Sequence, residues 1–195
     1  MTSPRLRLAI PEDAEALRAI YAPVVRDTAI SFEYEVPERV EIARRVQATL
    51  TRAPWLVACD ASGRVLGYAY GGRYRERVAY DWLVETSVYI AAEARGRGVG
   101  RQLYVALLAA LTQQGHRRAI AGVTLPNEAS VAFHTSFGFE ACGVVQRAGW
   151  KHGAWHDVGF YERALSDELG APEPLRSTDD LFADPDFQAL LDTPS

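Results

Sequence analysis

The stretch Arg95-Gly96-Arg97-Gly98-Val99-Gly100 constrains this 195-residue chain more than any other. The stretch Leu83–Ile90 before it reads as a long strand. After it, Val99, Leu103, Ala106, Leu107, Ala110 and Leu111 recur at helical spacing, and Gly115 supplies a C-terminal stop. Glycines permit positive φ and let a ligand approach the backbone without meeting a Cβ. The helix start contributes unpaired N–H groups and a partial positive charge. A turn of this kind binds phosphate, and Arg95, Arg97 and Arg101 add charge to it. A Walker loop would end in Gly-Lys-Ser/Thr, whereas this one ends in Gly100-Arg101-Gln102; a dinucleotide fingerprint needs glycine where Arg101 stands.

The rest of the chain is built around that turn. Arg5–Ile10 reads as a strand, and Pro11, Glu12 and Asp13 open a helix carrying Ala14, Leu17, Tyr21, Val24 and Val25, which Pro23 should kink or end. A second helix is expected over about Pro37–Leu50, with Val40, Ala43, Val46 and Leu50 on one side. Strands Trp55–Cys59 and Val65–Tyr70 flank an Asp60–Gly63 turn, and an arginine- and tyrosine-rich loop, Gly71–Asp81, follows. Ala119–Thr124 is a strand, Glu128–Phe137 a helix closed by Gly138, and Glu140–Gln146 and Trp155–Arg163 the last two strands. The order β-α-α-β-β-β-α-β-α-β-β implies an α/β (α+β) domain over residues 1–165, a mixed central β-sheet flanked by helices.

Charge divides the chain unevenly. Residues 166–195 hold eight acidic groups and one basic, while the other 165 residues hold 20 basic and 17 acidic. The excess on the body is too small for nucleic-acid binding, so no nucleic-acid partner is expected. The acidic tail reads either as a mobile segment with one short helix or as a docked one, its stripe formed by Leu181, Phe182, Phe187, Leu190 and Leu191. No apolar run approaches the roughly 18 residues that span a bilayer, and Met1–Ile10 lacks the apolar core of a secretion signal, so a cytoplasmic location and no membrane partner are expected. Cys59 and Cys142 are too few for a disulfide framework, and both read as small buried hydrophobes.

Arg95-x-x-Gly98-x-Gly100 resembles the Gln/Arg-x-x-Gly-x-Gly/Ala signature of the GNAT superfamily of N-acetyltransferases, and the element order is similar to that fold. Three further stretches narrow the likeness: Ala79-Tyr-Asp-Trp-Leu-Val-Glu-Thr-Ser-Val-Tyr89, Leu125-Pro-Asn-Glu-Ala-Ser-Val-Ala-Phe-His134 and Lys151-His-Gly-Ala-Trp-His-Asp-Val-Gly-Phe160. They resemble the phosphinothricin and methionine sulfoximine acetyltransferases, over roughly Arg5 to Arg163. The resemblance implies acetyl-CoA as co-substrate, in a cleft where the sheet splays after Ile90. It also implies a small amino-acid-like amine as acceptor, and a homodimer. The amides of Arg95, Gly96, Arg97, Gly98, Val99, Gly100 and Arg101 would, by the same resemblance, hold the pyrophosphate. The strand groups of Val88, Tyr89 and Ile90 would hold the pantetheine arm, and Asn127 would touch the coenzyme, unless it serves only as a helix N-cap.

Candidate chemistry lies at two positions. Alternation puts Glu85, Ser87 and Tyr89 on one face of the strand and Val84, Thr86, Val88 and Ile90 on the other. Acyl transfer to an amine requires a deprotonated nitrogen, and a carboxylate, directly or through one water, takes that proton; the resemblance implies this role for Glu85. His134, seven residues after Asn127, stands where the wider superfamily places a tyrosine that protonates the departing thiolate, and imidazole serves as acid or base near neutrality. The resemblance points to Phe32, Arg75, Arg77, Tyr80, Thr86 and Thr124, with Glu85, as substrate-binding residues, arginine forks suiting an oxyanion. Thr124 stands where the resembled enzymes carry a small residue. His152, His156 and Asp157 lack the helical face of a metal site, and no metal is expected. Two rival readings are a GNAT enzyme for another amine (an antibiotic, a polyamine or a protein N-terminus) and an acyl-CoA-binding module without turnover.

Overall fold

Strands β1 (Arg5–Leu8), β2 (Trp55–Cys59), β3 (Val65–Arg73), β4 (Leu83–Ile90), β5 (Arg118–Leu125), β6 (Glu140–Lys151) and β7 (Ala154–Ala164) form one mixed sheet in the order β1-β2-β3-β4-β5-β7-β6. The structure, a computed structural model, describes residues 4–192, with the side chains of Leu190 and Asp192 outside the description. Helices α1 (Ala14–Asp27), α2 (Arg39–Leu50), α3 (Val99–Gln114) and α4 (Glu128–Ser136) fall where the sequence places them, and α5 (Thr178–Phe182) and α6 (Pro185–Asp192) follow in the tail. The expected mixed sheet flanked by helices is the architecture observed.

Strand alternation distributes the helices over the two faces. Tyr68 and Tyr70 of β3 and Tyr89 of β4 lie on one face, where Tyr89 meets Tyr21 of α1 edge-on at 5.0 Å. Trp55 stacks on Tyr70 at 4.1 Å on the same side. On the other face Thr86 bonds Tyr104 of α3 at 2.8 Å, and a Cβ at Gly71 would touch Val84 and Leu111. The α3 side is the denser, with Leu103, Tyr104, Leu107 and Leu111 all fully buried. Burying such side chains supplies about 1.5–3 kcal/mol each.

Several local expectations are corrected. Pro23 does not end α1, which runs on to Asp27. A proline there removes one N–H from the ladder, while Val24 and Val25 beyond it are buried and hold the last turn in place. Helix α2 starts at Arg39 and buries Ile42 and Val46, leaving Val40 75% exposed. Strand β3 continues to Arg73 and β6 to Lys151, because each has a long antiparallel partner. Cys142 is exposed, since β6 is the edge strand, whereas Cys59 is buried.

The tail packs against the body. Leu181 and Phe187 are fully buried and Leu191 nearly so, within the main core. The Trp82 indole donates to the Glu173 carbonyl at 2.9 Å, and Gln114 Nε2 donates to the carbonyls of Arg52 (2.8 Å) and Arg176 (3.0 Å).

Candidate active site

The glycine turn has the backbone geometry of an anion cradle. Gly96 (φ 71°) and Gly98 (φ 80°) are both left-handed, and Gly98 caps α3. In that region an L side chain costs about 1–2 kcal/mol. The first intrahelical bond runs from the Gln102 amide to the Gly98 carbonyl, so the amides of Val99, Gly100 and Arg101 belong to the unpaired first turn, with no side-chain cap. The Val99 side chain is 3% exposed and belongs to the core. Arg95, Arg97 and Arg101 have no carboxylate partner among the described residues; Arg95 donates to the Ile90 carbonyl at 3.3 Å. A cavity of about 550 Å³ runs from this turn along Val88, Tyr89 and Ile90, bordered by Asn127, Ser130 and Phe133 of the α4 side and by Val24 and Ile30. Asn127 borders the cavity, and its Oδ1 caps α4 by accepting from the Ser130 amide at 3.1 Å.

The cavity exists because two parallel strands part company. Among the described residues the only parallel neighbours, β4 and β5, pair at Leu83–Arg118, Val84–Ala119 and Glu85–Ile120 and then diverge. The parting therefore begins at Glu85, not after Ile90 as expected; from Thr86 onward β4 keeps only its β3 partner. Glu85 sits at the fork. Its carboxylate lies 3.6 Å from where a Gly122 Cβ would stand, and Phe160 and Val158 border the same spot. Among the described residues no hydrogen bond or salt bridge holds it. Burial raises its pKa, and the field of Arg75 opposes that rise.

His134 lies on α4, enclosed by Tyr104, Phe133 and Phe139, each with its ring centroid 5.5 Å away. It is 5% exposed. Its Nδ1 lies 2.8 Å from the Ser130 carbonyl, which can only accept, so Nδ1 carries the proton and Nε2 the lone pair. Burial lowers its pKa, against the pull of that carbonyl. No hydrogen bond or ion pair joins Glu85 and His134 among the described residues.

The arginine loop is less uniform than its sequence. Arg73 is committed to Glu76 and Asp81, at 3.0 and 3.1 Å. Arg75 and Arg77 have no carboxylate partner among the described residues; Arg75 lies over the Tyr74 ring at 4.5 Å, and Tyr74 meets Tyr80 edge-on at 5.8 Å. Phe32 sits in the segment between α1 and α2, against Gly149 and 6.4 Å from the His156 ring. Thr124 Oγ1 donates to the Ile30 carbonyl at 3.3 Å, tying β5 to that segment. Thr86 is the exception: it is 4% exposed, and its hydroxyl is taken up by Tyr104 and the Ile120 carbonyl, on the face away from Glu85. His156 points at the Lys151 carbonyl (3.0 Å) and His152 at the Thr28 carbonyl (3.2 Å), and no metal-holding group of three forms among the described residues.

Three features escape a reading of the sequence. Gly122 leaves room for the Glu85 carboxylate, Ser130 sets the His134 tautomer through its carbonyl, and Lys151 reaches back to α1. The first two depend on backbone groups and missing atoms, which carry no motif.

An acetyltransferase (GNAT) domain model matches residues 6–159. The chain is 38% identical to the phosphinothricin N-acetyltransferase of Streptomyces viridochromogenes over 88% of its own length and 92% of that protein's. It is 37% identical to the L-methionine sulfoximine/L-methionine sulfone acetyltransferase of Pseudomonas aeruginosa, over 82% of the chain and 94% of that protein. Its fold is similar to a phosphinothricin acetyltransferase from Sinorhizobium meliloti solved with acetyl-CoA, at a TM-score of 0.84 and 35% identity, covering 88% of this chain and 94% of that one. With the splayed sheet and the glycine cradle beyond its fork, these likenesses show that the chain belongs to the GNAT family of acetyltransferases.

Proposed function

We propose that the protein transfers the acetyl group of acetyl-CoA to the amino group of a small amino-acid-like substrate of the phosphinothricin, methionine sulfoximine or methionine sulfone type, by direct attack in a ternary complex. The observation that carries this reading is the half-buried, unpaired Glu85 carboxylate at the β4–β5 fork, within the field of an uncommitted Arg75. The names of the two relatives supply the substrate class.

The cradle fits the coenzyme: the first-turn amides of α3 and three guanidinium groups that have no carboxylate partner among the described residues meet its pyrophosphate, and the cavity along Val88–Ile90 takes the arm. Acetyl-CoA supplies the thioester carbonyl, which a strand amide within Val88–Ile90 polarises. Arg75 and Arg77 bind the substrate's carboxylate or its phosphinate or sulfone oxygens. Glu85 takes the ammonium proton, its raised pKa bringing it closer to the amine's and making it a stronger base than an exposed carboxylate. The nitrogen–carbon bond then forms as the carbon–sulfur bond breaks, and the nitrogen's second proton leaves with the sulfur. His134, neutral and with Nε2 free to accept, is suited to relay that proton rather than to supply one of its own. The arginine-rich loop that carries Arg73, Arg75 and Arg77 disfavours cationic amines such as polyamines, because like charges repel.

Thiol release from acetyl-CoA, measured with L-methionine sulfone, phosphinothricin, spermidine and a peptide N-terminus, tests the reading. Release is expected with the first two only. Turnover confined to the last two overturns the substrate class, and coenzyme binding without release on any amine overturns the activity. No helix among the described residues is long and apolar enough to cross a membrane. A cytoplasmic homodimer belongs to the same reading; the exposed edge strand β6, with Val144 57% and Val145 51% exposed, supports the pairing, and sedimentation velocity checks it.

A further inference from the structure

We propose that Lys151 and Gly149, on the β6–β7 hairpin, are positioning residues for the amine pocket: they clamp the 28–34 segment from behind and so set where Phe32 stands. The inference rests on the reading above that Phe32 walls that pocket.

Lys151 is 3% exposed, an unusual position for a lysine. Its ammonium donates to the Val25 carbonyl at 2.6 Å and the Ser31 carbonyl at 2.7 Å, residues more than a hundred positions away. Val25 lies in the last turn of α1, where carbonyls lack intrahelical partners and carry the negative end of the helix dipole. One buried charge thus joins a helix end, a loop and a hairpin. The nearby carboxylate, Glu33, is already engaged by Arg45 at 2.7 Å and by the Tyr21 hydroxyl at 3.0 Å, so the carbonyls are the acceptors that hold the ammonium. Taking a charge out of water costs several kcal/mol unless such partners meet it.

Further links join the same two pieces. The Tyr34 hydroxyl donates to the Trp150 carbonyl, and His152 Nε2 lies 3.2 Å from the Thr28 carbonyl. A Cβ on Gly149 would collide with the Phe32 ring, so the ring is seated where only glycine leaves space. The segment 28–34 is coil, without strand or helix pairing of its own. Its conformation rests on side-chain ties, from Thr124 to the Ile30 carbonyl, between the Tyr21 and Ser31 hydroxyls and from the hairpin, and the hairpin's are the ones that flank Phe32.

Lys151→Met keeps the length of the side chain and removes its donors. The expected result is a KM for L-methionine sulfone raised about tenfold, with acetyl-CoA affinity changed by less than about twofold and partial recovery in Lys151→Arg. Gly149→Ala should change the ratio of kcat/KM between L-methionine sulfone and phosphinothricin, because it displaces Phe32. Amide hydrogen exchange should quicken at residues 28–34 in Lys151→Met, a readout that needs no turnover. Unchanged exchange there, or an unchanged amine KM in the folded Lys151→Met protein, overturns the proposal. If Lys151→Met does not fold, an unchanged substrate ratio in Gly149→Ala overturns it. Phe32→Ala separates the two ideas: an unaltered amine KM in that variant sinks Phe32 as the pocket wall, while faster exchange in Lys151→Met still supports the clamp.

Discussion

Replacing Glu85 with glutamine is expected to lower kcat by about a hundredfold or more, the usual worth of a positioned base, while acetyl-CoA affinity changes by less than about twofold, since the cradle lies beyond the other end of β4. The kinetic and thermodynamic signs oppose one another. Burial raises the folded-state pKa of Glu85 above its ordinary value of 4.5. Between that value and the raised one the folded chain binds more protons than the unfolded, so this group's contribution to stability falls as pH rises through the window. Activity needs the ionised form and is lost as pH falls through the same window. The amide introduced by Glu85→Gln carries no charge to desolvate, so the variant should be at least as stable as the parent at pH 7 and far less active. Equal kcat in the two proteins would remove Glu85 from the base role. A large loss of stability would show that the carboxylate is a structural partner rather than an unpaired base held at the fork.

Phe187→Ala is expected to destabilise the protein by about 3–5 kcal/mol, the range for truncating a fully buried phenylalanine. In a chain of this size that corresponds to a fall in Tm of about 10 °C. Phe187 is fully buried in the main core, where it meets Phe182 edge-on at 4.8 Å, although it lies in the acidic segment beyond the last strand. Hydrogen bonds anchor the chain before it, among them Trp82 to Glu173, Gln114 to Arg176, and the Arg176 amide to the Gln114 carbonyl at 2.9 Å. Trp82 stands between the arginine loop and Glu85, so the tail braces the strand that carries the base. Thermal unfolding monitored by circular dichroism reads the effect. A change below about 1 kcal/mol would mean that residues 166–192 are an appendage rather than part of the core.

The legible part of this protein is local. Periodicity marks β4 as Leu83–Ile90 and α3 from Val99, and Gly96 and Gly98 mark the turn between them because positive φ there demands glycine. Motif and alternation together single out Glu85, and they put it on the opposite face from Thr86. They do not show that Thr86 spends its hydroxyl on Tyr104, since Tyr104 reaches it from another element. Nor does charge pattern separate Arg73, which pairs with Asp81, from Arg75 and Arg77, which do not.

The order of elements, the cradle and the family chemistry are all carried by neighbours along the chain, so the residues alone define them. Packing defines the rest: where β4 and β5 part, which tautomer His134 holds, and how the 28–34 segment is clamped. The reason is the same for each. Strand divergence, a carbonyl 2.8 Å from an imidazole and a lysine bonded to a loop 120 residues earlier are contacts that depend on how separate elements meet. Their energies depend on burial and distance, quantities that come into being only when the sheet and its helices are packed.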